Sequence, residues 1–193
     1  MKHIVAAAAL LFASGSATAQ MEGGEPLAIG TTYTIASGIL EGGERKITVR
    51  LPAEYTSEPD RRFPVVYLLD GGPEQDFAHI AGIAQSREMN FSFEPFILIG
   101  IQSVNRRHEL APPVADPAPY QEALQATPGG SPDFRRFLRE KLKPMVEAQY
   151  RTDGHDAVMG ESLVGLFVIE PYSKIRPCST IISRSRLPCG GSG

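Results

Sequence analysis

Tryptophan is absent from this sequence, and cysteine nearly so: Cys178 and Cys189, both near the C-terminus, are the only two. A body without cysteine must be held by its hydrophobic core rather than by disulfides. Long apolar runs are missing as well. None reaches the roughly 18 residues that a membrane-spanning helix needs, so no span is expected. Positive charge is not in excess. The 19 Lys and Arg stand against 22 Asp and Glu, a formal net charge of −3, which argues against a nucleic-acid surface. No cluster of His, Cys or carboxylate has metal-ligand spacing, and no glycine-rich loop has the spacing of a phosphate cradle; neither metal nor other cofactor is expected. Acid is missing from both ends: all 22 acidic residues lie between Glu22 and Glu170. Pro171 to Gly193 contains none, yet holds Lys174, Arg176, Arg184, Arg186 and both cysteines. Residues 20–170 carry 14 basic against 22 acidic side chains. The chain, 42% hydrophobic as a whole, therefore reads as unlike pieces, of which the central one has the size of a single globular domain.

The first piece has the layout of an export signal. Lys2 supplies the positive n-region, and Ile4 to Ala13 is an unbroken apolar stretch. Ala17-Thr18-Ala19 fits the small-x-small cleavage rule, which puts the mature start at Gln20. A signal over residues 1–19 implies a periplasmic or secreted protein.

The central piece, residues 20–170, alternates strands and helices. Thr31 to Ser37 and Glu44 to Leu51 flank Glu41-Gly42-Gly43 and predict an antiparallel hairpin. Phe63 to Leu69 is a continuous apolar run, the pattern of a strand covered on both faces. Phe77, Ile80, Ala81 and Ala84 recur at helical spacing. Phe96 to Ile101 predicts the next buried strand. Gln102 to Gly130, with five prolines, predicts a long surface loop. Ser131-Pro132-Asp133 predicts a helix start with Ser131 as cap, and Phe134, Leu138, Leu142 and Met145 its apolar stripe. Pro144 is expected to kink or end that helix. Thr152-Asp153-Gly154 predicts a turn, Ala157 to Met159 a short strand, and Leu163 onward a further helix. The succession implies parallel crossovers and an α/β sheet.

Gly160-Glu161-Ser162-Leu163 lies between that strand and that helix. A serine at a sharp strand-to-helix turn, with glycine two residues before it, has its hydroxyl lifted clear of the sheet. The backbone N–H of the next residue, Leu163, then points toward the site of an oxyanion. The G-x-S-x-G pattern is imperfect: Val164 stands where the second glycine belongs, and its branched side chain is expected to crowd the turn. Other polar residues have plainer readings. Asp70 suits the turn after its strand. His79 sits on a helix, and His155 lies at the wrong end of its strand to serve Ser162. Asn105, Arg106 and Arg107 are candidates for a substrate mouth, as opposed to a solvated charged loop.

The run RTDGHDAVMGESLVGLFVIE (Arg151–Glu170) resembles the elbow region of the esterase family of α/β hydrolases that includes esterase D and the siderophore esterases. Three further segments match in the family's order: ITVRLPAEY, FPVVYLLDGG and PFILIGIQSVNRRHELAPP. The resemblance implies the N-terminal part of an α/β-hydrolase fold, mostly parallel with an N-terminal antiparallel hairpin. It implies a serine esterase whose partner is a small-molecule carboxylic ester. Ser162 would be nucleophile, Leu163 one backbone oxyanion donor, and Gly71 in the Asp70-Gly71-Gly72 turn the other.

A serine nucleophile needs a base, and the base an orienting acid. After Ser162 the sequence has no histidine and no aspartate; Glu170 is its only later carboxylate side chain. Residues 171–193 show neither a helical stripe nor a strand and are expected to be aberrant. Read one base out of frame, their codons permit a peptide ending in S-P-S-L-W-W, as the family has after its elbow helix, so a frameshift near Glu170 is expected. Three expectations follow for the chain as it stands: little activity, marginal stability, and no structural disulfide between Cys178 and Cys189. The alternative is an exported, non-catalytic ligand-binding domain on a partial hydrolase fold. Which ester is cleaved, and the oligomeric state, stay open.

Overall fold

A computed structural model describes residues 23–175. The expected signal and both cysteines lie outside those residues. The element order is β1 (Thr31–Ala36), β2 (Glu44–Arg50), α1 (Glu54–Ser57), β3 (Phe63–Leu69), α2 (Phe77–Met89), β4 (Ile97–Ile101), α3 (Arg106–Glu109), α4 (Ala118–Leu124), α5 (Ser131–Phe137), a π-helical turn (Leu138–Leu142), α6 (Lys143–Gln149), β5 (Thr152–Met159) and α7 (Leu163–Ile175). The strands form one sheet in the order β1-β2-β4-β3-β5. β1 pairs antiparallel with β2, and β2 antiparallel with β4, while β3 runs parallel to both β4 and β5. Four strands thus point one way, and β2 alone opposes them. No helix among the described residues is long and apolar enough to cross a membrane.

The continuous apolar runs sit in the middle of the sheet. Every residue of β4 is buried, and Phe63, Val65, Leu68 and Leu69 of β3 are nearly inaccessible. On one face Leu68 and Leu98 pack against Phe77 and Ala81 of α2. On the other, Phe134, Phe137, Leu142, Val146, Val164 and Phe167 cover Tyr67, Ile97 and Ile99. Helices on both faces are what two-sided apolar strands require.

Several local expectations need correction. The Pro-rich stretch is not structureless: α3 and α4 form within it. Ser131 is not a cap. It is the first residue inside α5 and fully buried, and its hydroxyl donates to Glu170 (3.0 Å). The apolar stripe shifts one position, because the π turn inserts before Pro144. There the Lys143 N–H donates to Leu138, five residues back. Val146 is therefore buried, and the expected Met145 is turned outward. The wide turn accommodates a proline that has no N–H for the carbonyl of residue 140, and the helix bends its phase instead of ending. Thr152 to Gly154 belong to β5, where the pairing register with β3 jumps between Phe63 and Val65. α7 runs from Leu163 to Ile175 and contains Pro171. Pro171 lacks the N–H that would reach the Phe167 carbonyl, but Arg135 Nη2 donates to that carbonyl at 2.8 Å.

Candidate active site

β5 ends at Met159, and α7 starts at Leu163. Three residues make the reversal between them. Ser162 sits in the left-handed region at φ 54° and is exposed. A non-glycine residue there is strained, and such strain gathers at functional sites. Gly160 leaves no room for a side chain: a Cβ would stand 2.6 Å from Val164 Cγ1 and 2.8 Å from Val164 Cβ. Val164 itself is fully buried. The branched residue expected to crowd the turn instead fills the space that Gly160 leaves empty. The turn closes with Val164 N–H on Glu161 O (3.0 Å) and Gly165 N–H on Ser162 O (2.9 Å). Leu163 opens the helix, so its N–H is one of the first-turn amides with no acceptor in a preceding turn.

The second wall of the site is the turn after β3. Asp70 is also left-handed, at φ 56°. A Cβ on Gly71 would meet Gly100 Cα at 2.7 Å, and one on Gly100 would meet Gly71 O at 2.1 Å. Two glycines therefore let this turn lie directly on the end of β4. The same closeness removes Gly71 from the expected role. Its N–H donates to Ile101 O at 2.9 Å, extending the sheet, and is not available to an oxyanion. The next amide, Gly72, donates to the Gln75 side-chain oxygen at 3.0 Å.

Of the three residues expected at the mouth, Arg106 reaches the elbow. Its Nε donates to Asp70 Oδ2 (2.6 Å) and its Nη2 to Glu161 O (3.4 Å). Arg107 points elsewhere, donating to Leu124 O at the end of α4 (2.6 Å), while Tyr120 OH donates to the Arg107 carbonyl (2.8 Å). Arg107 thus fastens the loop and does not meet the expectation of lining a mouth. Asn105 is exposed and borders a polar cavity of about 620 Å³ with Glu41, His108, Gln121, Gln125 and Thr127. The base of α3 is fixed by Glu109, which is buried, ion-paired to the buried Arg45 of β2, and accepts the Val104 N–H at 3.1 Å. The sequence gives no signal for these long-range pairs: 64 positions separate Arg45 from Glu109 and 36 separate Asp70 from Arg106.

The three histidines among the described residues make their bonds elsewhere. His79 pairs with Asp76 on the surface of α2 (3.0 Å), and His108 binds the Thr127 carbonyl (2.8 Å). His155 lies beside Asp153 in the first half of β5, while Ser162 follows the strand's other end. Glu170, the carboxylate that follows Ser162, pairs with Arg135 and Ser131. A further cavity of about 620 Å³ lies away from the elbow, between the outer edge of β5, the π turn and α7. Tyr67 lines it, and burial, reinforced by Asp156 and Glu147, pushes its hydroxyl above the usual tyrosine range.

The family model for the "Putative esterase" family matches residues 37–175. Ferri-bacillibactin esterase BesA of Bacillus subtilis (strain 168) is 29% identical over 156 residues, covering 73% of this chain and 52% of that protein. Among solved structures, the IroE-like serine hydrolase of Shewanella oneidensis has a TM-score of 0.62 at 29% identity, covering 77% of this chain and 47% of its own. The siderophore hydrolase EstA of Aspergillus nidulans has a TM-score of 0.64 at 25% identity, covering 80% and 55%. The chain spans about half the length of these relatives. The fold is that of part of an α/β-hydrolase-like esterase, and with a family match over residues 37–175 this chain belongs to the "Putative esterase" family.

Proposed function

We propose that the protein is an exported serine esterase whose nucleophile is Ser162. The observation that carries this is the left-handed Ser162, φ 54°, raised between β5 and α7 beside a glycine with no room for a Cβ. In this reading Ser162 Oγ attacks the ester carbonyl. The developing oxyanion accepts the Leu163 N–H and the Gly72 N–H, whose present acceptor, a side-chain oxygen, can turn aside. The leaving alcohol departs, and water releases the acid. Base and orienting acid are not supplied by the residues after Ser162, so the 193-residue chain turns over esters poorly. The substrate class is carboxylic esters, of which the siderophores of the named relatives are one kind. Export rests on Lys2, the apolar stretch to Ala13 and the Ala17-Thr18-Ala19 triplet.

A bound nucleophile can be caught even without turnover. The chain is incubated with p-nitrophenyl acetate at pH 9, where hydroxide stands in for the missing base, and digested for peptide mapping. One acetyl group on Ser162, lost in S162A, is the expected outcome. Acetylation spread over lysines and other serines, with Ser162 unmodified, would contradict the reading.

A further inference from the structure

Four non-glycine residues of the described chain are left-handed, and two of them, Asp70 and Ser162, stand at the two walls of the site. Arg106 is the side chain that joins those walls. Its Nε meets the Asp70 carboxylate, and its Nη2 meets the carbonyl of Glu161, the residue before Ser162. The other Asp70 oxygen is buried with no hydrogen-bond partner among the described residues, so the guanidinium is the charge that balances this carboxylate. Arg106 is in turn held by a helix with a buried foot. One turn along α3, Glu109 is 2% exposed and tied to Arg45 and to the Val104 N–H. A planar guanidinium offers donors in two fixed directions at once, which an ammonium does not.

We infer that Arg106 is a positioning residue: it clamps the turn after β3 to the elbow and thereby sets the separation between the oxyanion donors and Ser162. The inference rests on Ser162 being the nucleophile. Each wall is held in a strained backbone conformation, and each is reached by one arm of the same side chain. Removing the clamp lets both relax apart while the sheet beneath stays paired. A misplacement of about 1 Å between reacting groups costs on the order of a hundredfold in rate.

The test measures acetylation of Ser162 by p-nitrophenyl acetate in the 193-residue chain, its R106A and R106K variants, and S162A, with rate constant and final acetylated fraction read separately. A residue that merely stabilised the fold would lower the fraction that reacts. A positioning residue lowers the rate constant. We expect R106A to be at least about tenfold slower at an unchanged final fraction. We expect R106K, which keeps the charge against Asp70 but not both directions, to recover part of the loss. Equal rate constants in wild type and R106A would overturn the clamp. Hydrogen exchange reads it without chemistry. In R106A the amides of residues 70–73 and 161–164 should exchange faster together, with β3 and β4 unchanged; acceleration of one segment alone, or of neither, overturns it. If the wild-type chain is not acetylated at Ser162, the nucleophile assignment fails instead, and the exchange result alone decides the clamp.

Discussion

Gly160 and Val164 form a matched pair. The glycine has no Cβ, and the valine fills the vacated space so fully that an added methyl would lie 2.6 Å from Cγ1. Overpacking of this kind costs about 1–3 kcal/mol, because neither the strand end nor the helix start can move away freely. G160A should therefore lower the unfolding free energy by at least about that amount, since φ 159° also strains any side chain there, and V164A in the same chain should recover the part that is due to overpacking. Chemical denaturation of the four proteins of this cycle checks the pairing. Additive effects would mean that the two residues do not compete for one space. The glycine of the elbow was legible in the sequence. Its partner was not, because motif spacing says which positions must be small in most chains and not which larger residue a particular backbone can absorb.

At the scale of elements, the central strands were the easiest to read. Phe63–Leu69 and Ile97–Ile101 are continuous apolar runs of seven and five residues, a length that suits a strand and is too short for an ordinary helix. The helices after Gly130 were harder. Periodicity assumes one uniform pitch, and a π turn at Leu138–Leu142 changes the phase, burying Val146 in place of Met145. α7 runs through a proline. A proline at 171 normally halts a helix, because it leaves the carbonyl four residues back without a donor. Here Arg135 of α5 donates to the Phe167 carbonyl, lies 4.4 Å from the Phe167 ring centre and pairs with Glu170. That compensation comes from a residue 32 positions away. R135A should cost about 2–4 kcal/mol, since it strips a buried carboxylate and a carbonyl of one donor each. P171A restores a backbone donor to Phe167. It should change stability little alone, yet recover about 1 kcal/mol in the R135A background. Equal effects of P171A in both backgrounds would show that the arginine does not stand in for the missing N–H.

Taken whole, the described molecule is a sheet with two unequal sides. Its middle is closed: β4 and β3 are covered on both faces. Its far edge is open. Val158 and Met159 on β5 and Leu166, Ile169 and Tyr172 on α7 are exposed among the described residues. The elbow stands between the two, next to the closed middle and facing the open edge. Everything that shapes the nucleophile's turn comes from the covered side: Gly160 against Val164, the glycine pair at 71 and 100, and Arg106 braced through Glu109 to Arg45. No histidine or aspartate follows Ser162 in the sequence. The proposed function makes one central claim, that Ser162 is a nucleophile whose base is not among the residues that follow it. The most direct measurement compares hydrolysis of p-nitrophenyl butyrate by the 193-residue chain with that by the protein translated after restoring the frame near Glu170. Losing the other members of a serine triad costs roughly 10⁴–10⁶ in turnover. The account predicts a longer, active protein whose turnover S162A abolishes, and a 193-residue chain slower by at least about 10³. Equal activity of the two forms, or a restored frame without a downstream histidine, would contradict it.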